Sequence, residues 1–218
     1  MNRLLGVLII LVIGIAIGTY YLIPHDEKLP VINPADVESE MVDPEIFRQG
    51  YGHKIGSFAF LNQKGDTITE RFVEGKVYVA EYFFTTCGSI CPIMNKQMKR
   101  VNNAYFDNPE VAILSFTVDP DIDTVAQMKR YADRHDIKGD HWQFLTGDKK
   151  ELYQLARQSY FVLKPAEAEN LGDAGSDFIH TNNFVLVDRE SRIRGYYDGT
   201  NPDEVGALLK DIQKLLEE

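Results

Sequence analysis

Two cysteines, the only two in 218 residues, stand four positions apart in Phe84-Thr85-Thr86-Cys87-Gly88-Ser89-Ile90-Cys91-Pro92. The β-prone run KVYVAEYFF over 76–84 leads into them. Pro92 suits the first turn of a following helix, because the N–H it lacks would have had no partner there. The pair is therefore predicted at a strand-to-helix turn, where free N–H groups and the helix dipole stabilise a thiolate. The C-terminal end of a strand is also where open α/β sheets build their sites.

The spacing is one residue longer than the Cys-x-x-Cys of dithiol oxidoreductases, which shifts the reading toward metal. Two sulfurs at i and i+4 around a turn can face one ion, and thiolates select soft Cu(I), or Zn²⁺ where four ligands are present. The Cys-x-x-Cys-His of covalent haem attachment is absent. The plain alternative is a structural disulfide, although so short a loop gains little chain-entropy stabilisation. A third ligand must come from elsewhere, and there are five histidines. His25 and His53 lie in or beside a proline-rich stretch, while His135 and His141 flank the polar loop 136–140 and read as solvated. His180 ends the polar segment 164–177 and immediately precedes an apolar strand, so it is the candidate ligand. Asp119 closes a strand on the same edge, where it could orient His180 or face a partner, and Asp123 and Thr124 read as a helix cap. Met94 and Met98, Trp142 and the Tyr82-Phe83-Phe84 run read as core.

These residues need a scaffold, and the hydrophobic pattern supplies one. A hairpin is expected across Asn62–Gly65, then strands over 76–84, 111–118 and 142–145, helices over 92–105, 123–135 and 149–159, a second hairpin (184–187 with 192–197) and a last helix from Pro202 to Leu216. Alternation of this kind calls for an α/β, thioredoxin-like fold, a central mixed sheet with flanking helices, in one domain over 51–218. Residues 24–50 hold four of the nine prolines and read as a linker or strap. Residues 1–23 read as a membrane anchor, because Leu4 to Ile23 carries no charge and a helix of that length reaches roughly 30 Å. Arg3 on the short side predicts a single-pass protein of the bacterial cytoplasmic membrane with its domain exported, and Tyr20 and Tyr21 fit an interfacial belt. A cleaved signal peptide is the rival, but the apolar run is long and lacks an Ala-x-Ala pattern. Residues 24–218 carry 22 cations against 33 anions, which argues against nucleic acid as a partner and fits a cationic one.

Three motifs in order, Cys87-Gly88-Ser89-Ile90-Cys91-Pro92, Asp119-Pro120-Asp121-Ile122-Asp123-Thr124 and His180 before Asn183-Phe184-Val185-Leu186-Val187-Asp188, make the chain resemble the Sco/SenC family of copper proteins over about residues 50–216. One departure is Val125, where the family commonly has Pro. The resemblance implies one copper ion, Cu(I) or Cu(II), held by Cys87, Cys91 and His180, and a role in assembling the dinuclear copper site of cytochrome c oxidase subunit II. It implies a metallochaperone rather than an enzyme, with other copper chaperones or thiol reductants as further partners. Two alternatives share the residues: a thiol–disulfide oxidoreductase that uses Cys87 and Cys91 to reduce the oxidase cysteines, and a copper or redox sensor.

Overall fold

The computed structural model describes residues 2–22, 28–137, 139–162 and 181–218. It opens with α1 (Asn2–Leu22) and a short helix α2 (Pro44–Phe47). The hairpin β1 (Ala59–Leu61) and β2 (Thr67–Thr69) follows. Then come β3 (Val77–Phe83), α3 (Cys91–Tyr105), β4 (Val111–Thr117), α4 (Val125–Arg134), β5 (Trp142–Leu145) and α5 (Lys149–Gln158). The chain ends with β6 (Asn183–Val187), β7 (Ile193–Asp198) and α6 (Pro202–Glu217).

Five strands form one mixed sheet in the order β5-β4-β3-β6-β7. β3 lies at its centre, parallel to β4 from Val77↔Val111 to Phe83↔Thr117 and antiparallel to β6. Every residue of β3 and β4 is buried, as expected of strands covered on both faces. Side-chain alternation along β3 divides the core in two. Tyr78, Ala80 and Tyr82 face α5 and the hairpin, where they meet Phe58, Phe60, Phe116 and Tyr160. Val77, Val79 and Phe83 face α3, α4 and α6, among them Cys91, Met94, Met98, Met128 and Leu208. This is the expected thioredoxin-like arrangement, with Met94, Met98 and Trp142 in the core.

The hairpin turn is closed by Asn62, whose side-chain oxygen accepts from the amides of Lys64 and Asp66, both at 2.9 Å. Gly65 takes the left-handed φ of +87° that this turn requires. Gly199 answers a different need, close approach: a Cβ there would stand 2.6 Å from the Phe184 ring and 2.9 Å from the Asn182 carbonyl oxygen. Gly199→Ala is expected to cost about 1–3 kcal/mol of stability, since buried ring and backbone must both shift; an unchanged urea midpoint would contradict this.

The proline-rich stretch docks as a strap. Ile32 donates its amide to Ile193 at 2.8 Å, Val42 is buried, and Gly52 donates to the Asn33 side chain. Nε2 of His53 lies 2.8 Å from the Ser159 carbonyl. Among the described residues no helix is long and apolar enough to cross a membrane. The bilayer-spanning helix expected from Leu4 to Ile23 is thus not found among them, although the large apolar side chains of α1, Leu5 and Val7 to Ile13 included, are exposed.

Candidate metal centre

The two cysteines sit where β3 runs out. The Cys87 amide donates to the Phe84 carbonyl at 3.3 Å, and the chain then turns into α3, whose first residue is Cys91 and whose second is Pro92. Both cysteines are free thiols; Cys87 is partly exposed and Cys91 is buried. The Cys91 amide donates to Cys87 Sγ at 3.4 Å, with the Ser89 hydroxyl 3.7 Å from that sulfur.

This geometry makes the pair unequal. Partial burial works against the Cys87 thiolate, but the hydrogen bonds from Cys91 and Ser89 outweigh it and hold the Cys87 thiol below its ordinary range. Burial pushes Cys91 up to about 12, and the neighbouring Cys87 and Glu81 charges act in the same direction. One sulfur is thus an accessible, easily ionised donor, and the other ionises less readily unless a nearby cation stabilises its thiolate.

Asp123 supports the turn. It is wholly buried and accepts from the Thr85 amide at 3.1 Å, from the Thr117 hydroxyl at 2.6 Å, and from the Thr85 hydroxyl. Gln127 completes the cluster by donating to the Thr85 hydroxyl at 2.9 Å. Asp123 was expected as part of the helix cap. Instead Thr124 alone caps α4, accepting from the Gln127 amide, because the Asp123 carboxylate is drawn inward by the two threonine hydroxyls. With burial as the main cause, its carboxyl is raised above the ordinary value. Asp119 is half-buried; its carbonyl accepts from the Asp123 amide at 2.8 Å and its own amide donates to the Thr117 hydroxyl at 2.9 Å, which ties the 119–123 loop to the same strand end.

Beneath the cysteines lies a residue that the sequence reading passed over. Glu81 is buried in mid-strand on the Cys91 side of the sheet and accepts from the Ser115 hydroxyl at 2.6 Å, which in turn accepts from the Trp142 indole N–H at 2.8 Å. Burial raises its carboxyl to about 7, opposed by the Ser115 hydrogen bond. A lone acid inside KVYVAEYFF was the available signal, since a strand covered on both faces has no solvent side for it.

His180 and the 164–177 segment fall outside the described residues. The chain resumes at Thr181, and β6, antiparallel to β3, begins at the end of the sheet that carries the cysteines. Among the described residues no group of three or more His, Cys, Asp and Glu side chains converges on one point. His25 also lies outside the described residues, and His53, His135 and His141 are placed elsewhere. His141 was expected in solvent, yet both its ring nitrogens are buried without partners, because the ring folds back over Gly139. The His135 ring packs 4.4 Å from Tyr131, and burial lowers the pKa of both imidazoles and of His53.

A two-thiol donor set on a strand-to-helix turn suits a soft monovalent ion and leaves coordination positions for further ligands. Comparison with known proteins agrees with that chemistry. Residues 48–217 match the family model described as SCO1/SenC. A SCO1 protein homolog of Bacillus subtilis (strain 168) is 29% identical over 164 residues, covering 74% of this chain and 82% of that protein. BsSco, a solved structure described as a member of the Sco family of cytochrome c oxidase assembly proteins and as containing a disulfide switch, superposes with a TM-score of 0.62 at 28% identity, covering 75% and 93% of the two chains. Bradyrhizobium japonicum ScoI, solved with copper bound, gives a TM-score of 0.56 at 26% identity, covering 73% and 98%.

Proposed function

The chain belongs to the SCO1/SenC family, and from that premise we propose that it is a membrane-anchored copper chaperone acting in cytochrome c oxidase assembly. In this reading Cys87, Cys91 and His180 hold one copper ion and pass it to the dinuclear copper site of oxidase subunit II. The uncharged run Leu4 to Ile23 tethers the 51–218 domain, through the 24–50 strap, to the outer face of a bacterial cytoplasmic membrane. The observation that carries the proposal is the unequal thiol pair at the end of β3. Cys87 is open to an incoming ion, and the buried Cys91 thiol, held up to about 12, ionises most readily against a bound cation. Two sulfurs and one imidazole leave Cu(I) three-coordinate, so a partner's ligand can enter before one of these departs. Copper is here the cargo.

The same inequality favours a second reading, a thiol–disulfide reductase. An accessible low-pKa thiolate backed by a buried thiol can attack a partner disulfide and then resolve the mixed disulfide, passing on two electrons and ending as a Cys87–Cys91 bond. His180 separates the two, because dithiol exchange has no use for it. The full chain, reduced and in detergent, is expected to take up one Cu(I) in competition with a Cu(I) chelator, and His180→Ala to weaken that binding at least tenfold, the order seen when a ligand shell is damaged. Failure to hold Cu(I) against the chelator would leave the cysteines as a redox pair; a His180→Ala variant that binds like the parent would remove the third ligand.

A further inference from the structure

The end of the sheet opposite the cysteines is built around Arg194. Its guanidinium is almost wholly buried at the start of β7, paired with Asp188 at 2.9 Å and Glu218 at 3.0 Å. It also donates to the carbonyls of Leu29 at 2.6 Å and Pro30 at 3.1 Å. With the Ile32 amide on the Ile193 carbonyl, this clamps the first residues of the strap to the domain. The sheet register fixes which end this is. β3 and β7 both run antiparallel to β6, with Tyr78 level with Val187 and Val187 level with Ile193. The clamp is therefore level with the beginning of β3, whereas Cys87 lies beyond its last residue, Phe83. At about 3.3 Å per residue the two ends stand roughly 20 Å apart.

Only five residues separate Leu22 from Lys28, a covalent reach of at most about 20 Å. Resting on the anchored reading above, we infer that the strap stands the domain on its Arg194 end, so that the thiols face away from the bilayer and serve an acceptor in an extramembrane domain rather than a site at the lipid surface. The partner that fits is accordingly an extramembrane domain whose metal-accepting ligands stand on the order of 20–40 Å above the bilayer.

The test uses the full chain in vesicles of phosphatidylethanolamine and phosphatidylglycerol carrying an acceptor dye on a fraction of the headgroups. A donor dye is placed on Cys87 in the Cys91→Ser chain, or on Glu190→Cys in a chain with Cys87→Ser and Cys91→Ser. The distance of closest approach to the lipid dye is expected to be roughly 20 Å longer from the Cys87 position, the length of β3. Arg194→Ala, checked for intact secondary structure, is expected to shrink that difference. Equal distances, or a shorter one from Cys87, in the chain with Arg194 intact would overturn the inference. A chain that fails to float with the vesicles would overturn the anchored reading and this inference together. In either case copper binding, measured separately, is left standing.

Discussion

Asp123→Ala is expected to lower the unfolding free energy by about 3–5 kcal/mol, the cost of breaking a buried, charged hydrogen-bond cluster, and to weaken Cu(I) binding with it. Three donors, the Thr85 amide, the Thr85 hydroxyl and the Thr117 hydroxyl, lose their acceptor at once in a position closed to water. Thr117 closes β4 and Thr85 stands two residues before Cys87, so this one carboxylate joins two neighbouring strand ends to the thiol turn. Without it the Thr85–Ser89 backbone gains freedom, and two sulfurs that must meet one ion pay for that freedom on binding. Asp123→Asn is the control, because an amide oxygen can still accept from Thr85 while the Thr117 hydroxyl turns to accept from the amide nitrogen. It should lose about 1–2 kcal/mol. Urea unfolding of the reduced proteins, with Cu(I) competition on the same samples, gives both numbers. If Asp123→Ala unfolds at the parental midpoint, the carboxylate does not organise the turn.

How far such a cluster can be read from sequence depends on the reach of its interactions. The Cys-x-x-x-Cys turn was legible because its signals are local: a β-prone run, a proline at a helix start, and cysteines between them. The order of strands followed from periodicity, and each expected element of the 51–218 domain lies within about two residues of its limits, whereas the short helix α2 (Pro44–Phe47) in the strap was not expected. Asp123 was misassigned because Asp beside Thr satisfies the capping rule equally well for either residue. The choice was made by Thr85 and Thr117, the first of them 38 residues away in sequence. His141 was read as solvated from the polar residues around it, but the ring lies back against Gly139 with both nitrogens buried, which local polarity does not reveal. The strap's docking rests on the buried Arg194, whose partners come from three separate parts of the chain, at Leu29 and Pro30, Asp188, and Glu218.

The buried Glu81 carries the other large prediction, one that is read against pH. Its carboxyl is raised from the ordinary 4.5 to about 7 in the folded protein, so the native state holds a proton that the unfolded chain has already released. Folding stability contributed by that proton is complete below the unfolded value and is lost as pH rises from about 4.5 through about 7. At about 1.4 kcal/mol per unit the loss amounts to about 3 kcal/mol at pH 8. His53, His135 and His141 act in the opposite sense. Their imidazoles are held neutral by burial, so their contribution is present above the ordinary value of 6.5 and fades as pH falls below it. The parent's own profile mixes these terms, and the difference from Glu81→Gln isolates the carboxyl. The amide oxygen of glutamine can still accept from Ser115, whose hydroxyl continues to receive the Trp142 N–H. The variant should therefore match the parent near pH 5 and be more stable by up to about 3 kcal/mol at pH 8. Urea unfolding of both reduced proteins between pH 5 and 8 measures the gap. Curves that stay parallel would mean that Glu81 is ionised throughout, and its burial against Cys91 would then have to be offset by something other than a proton.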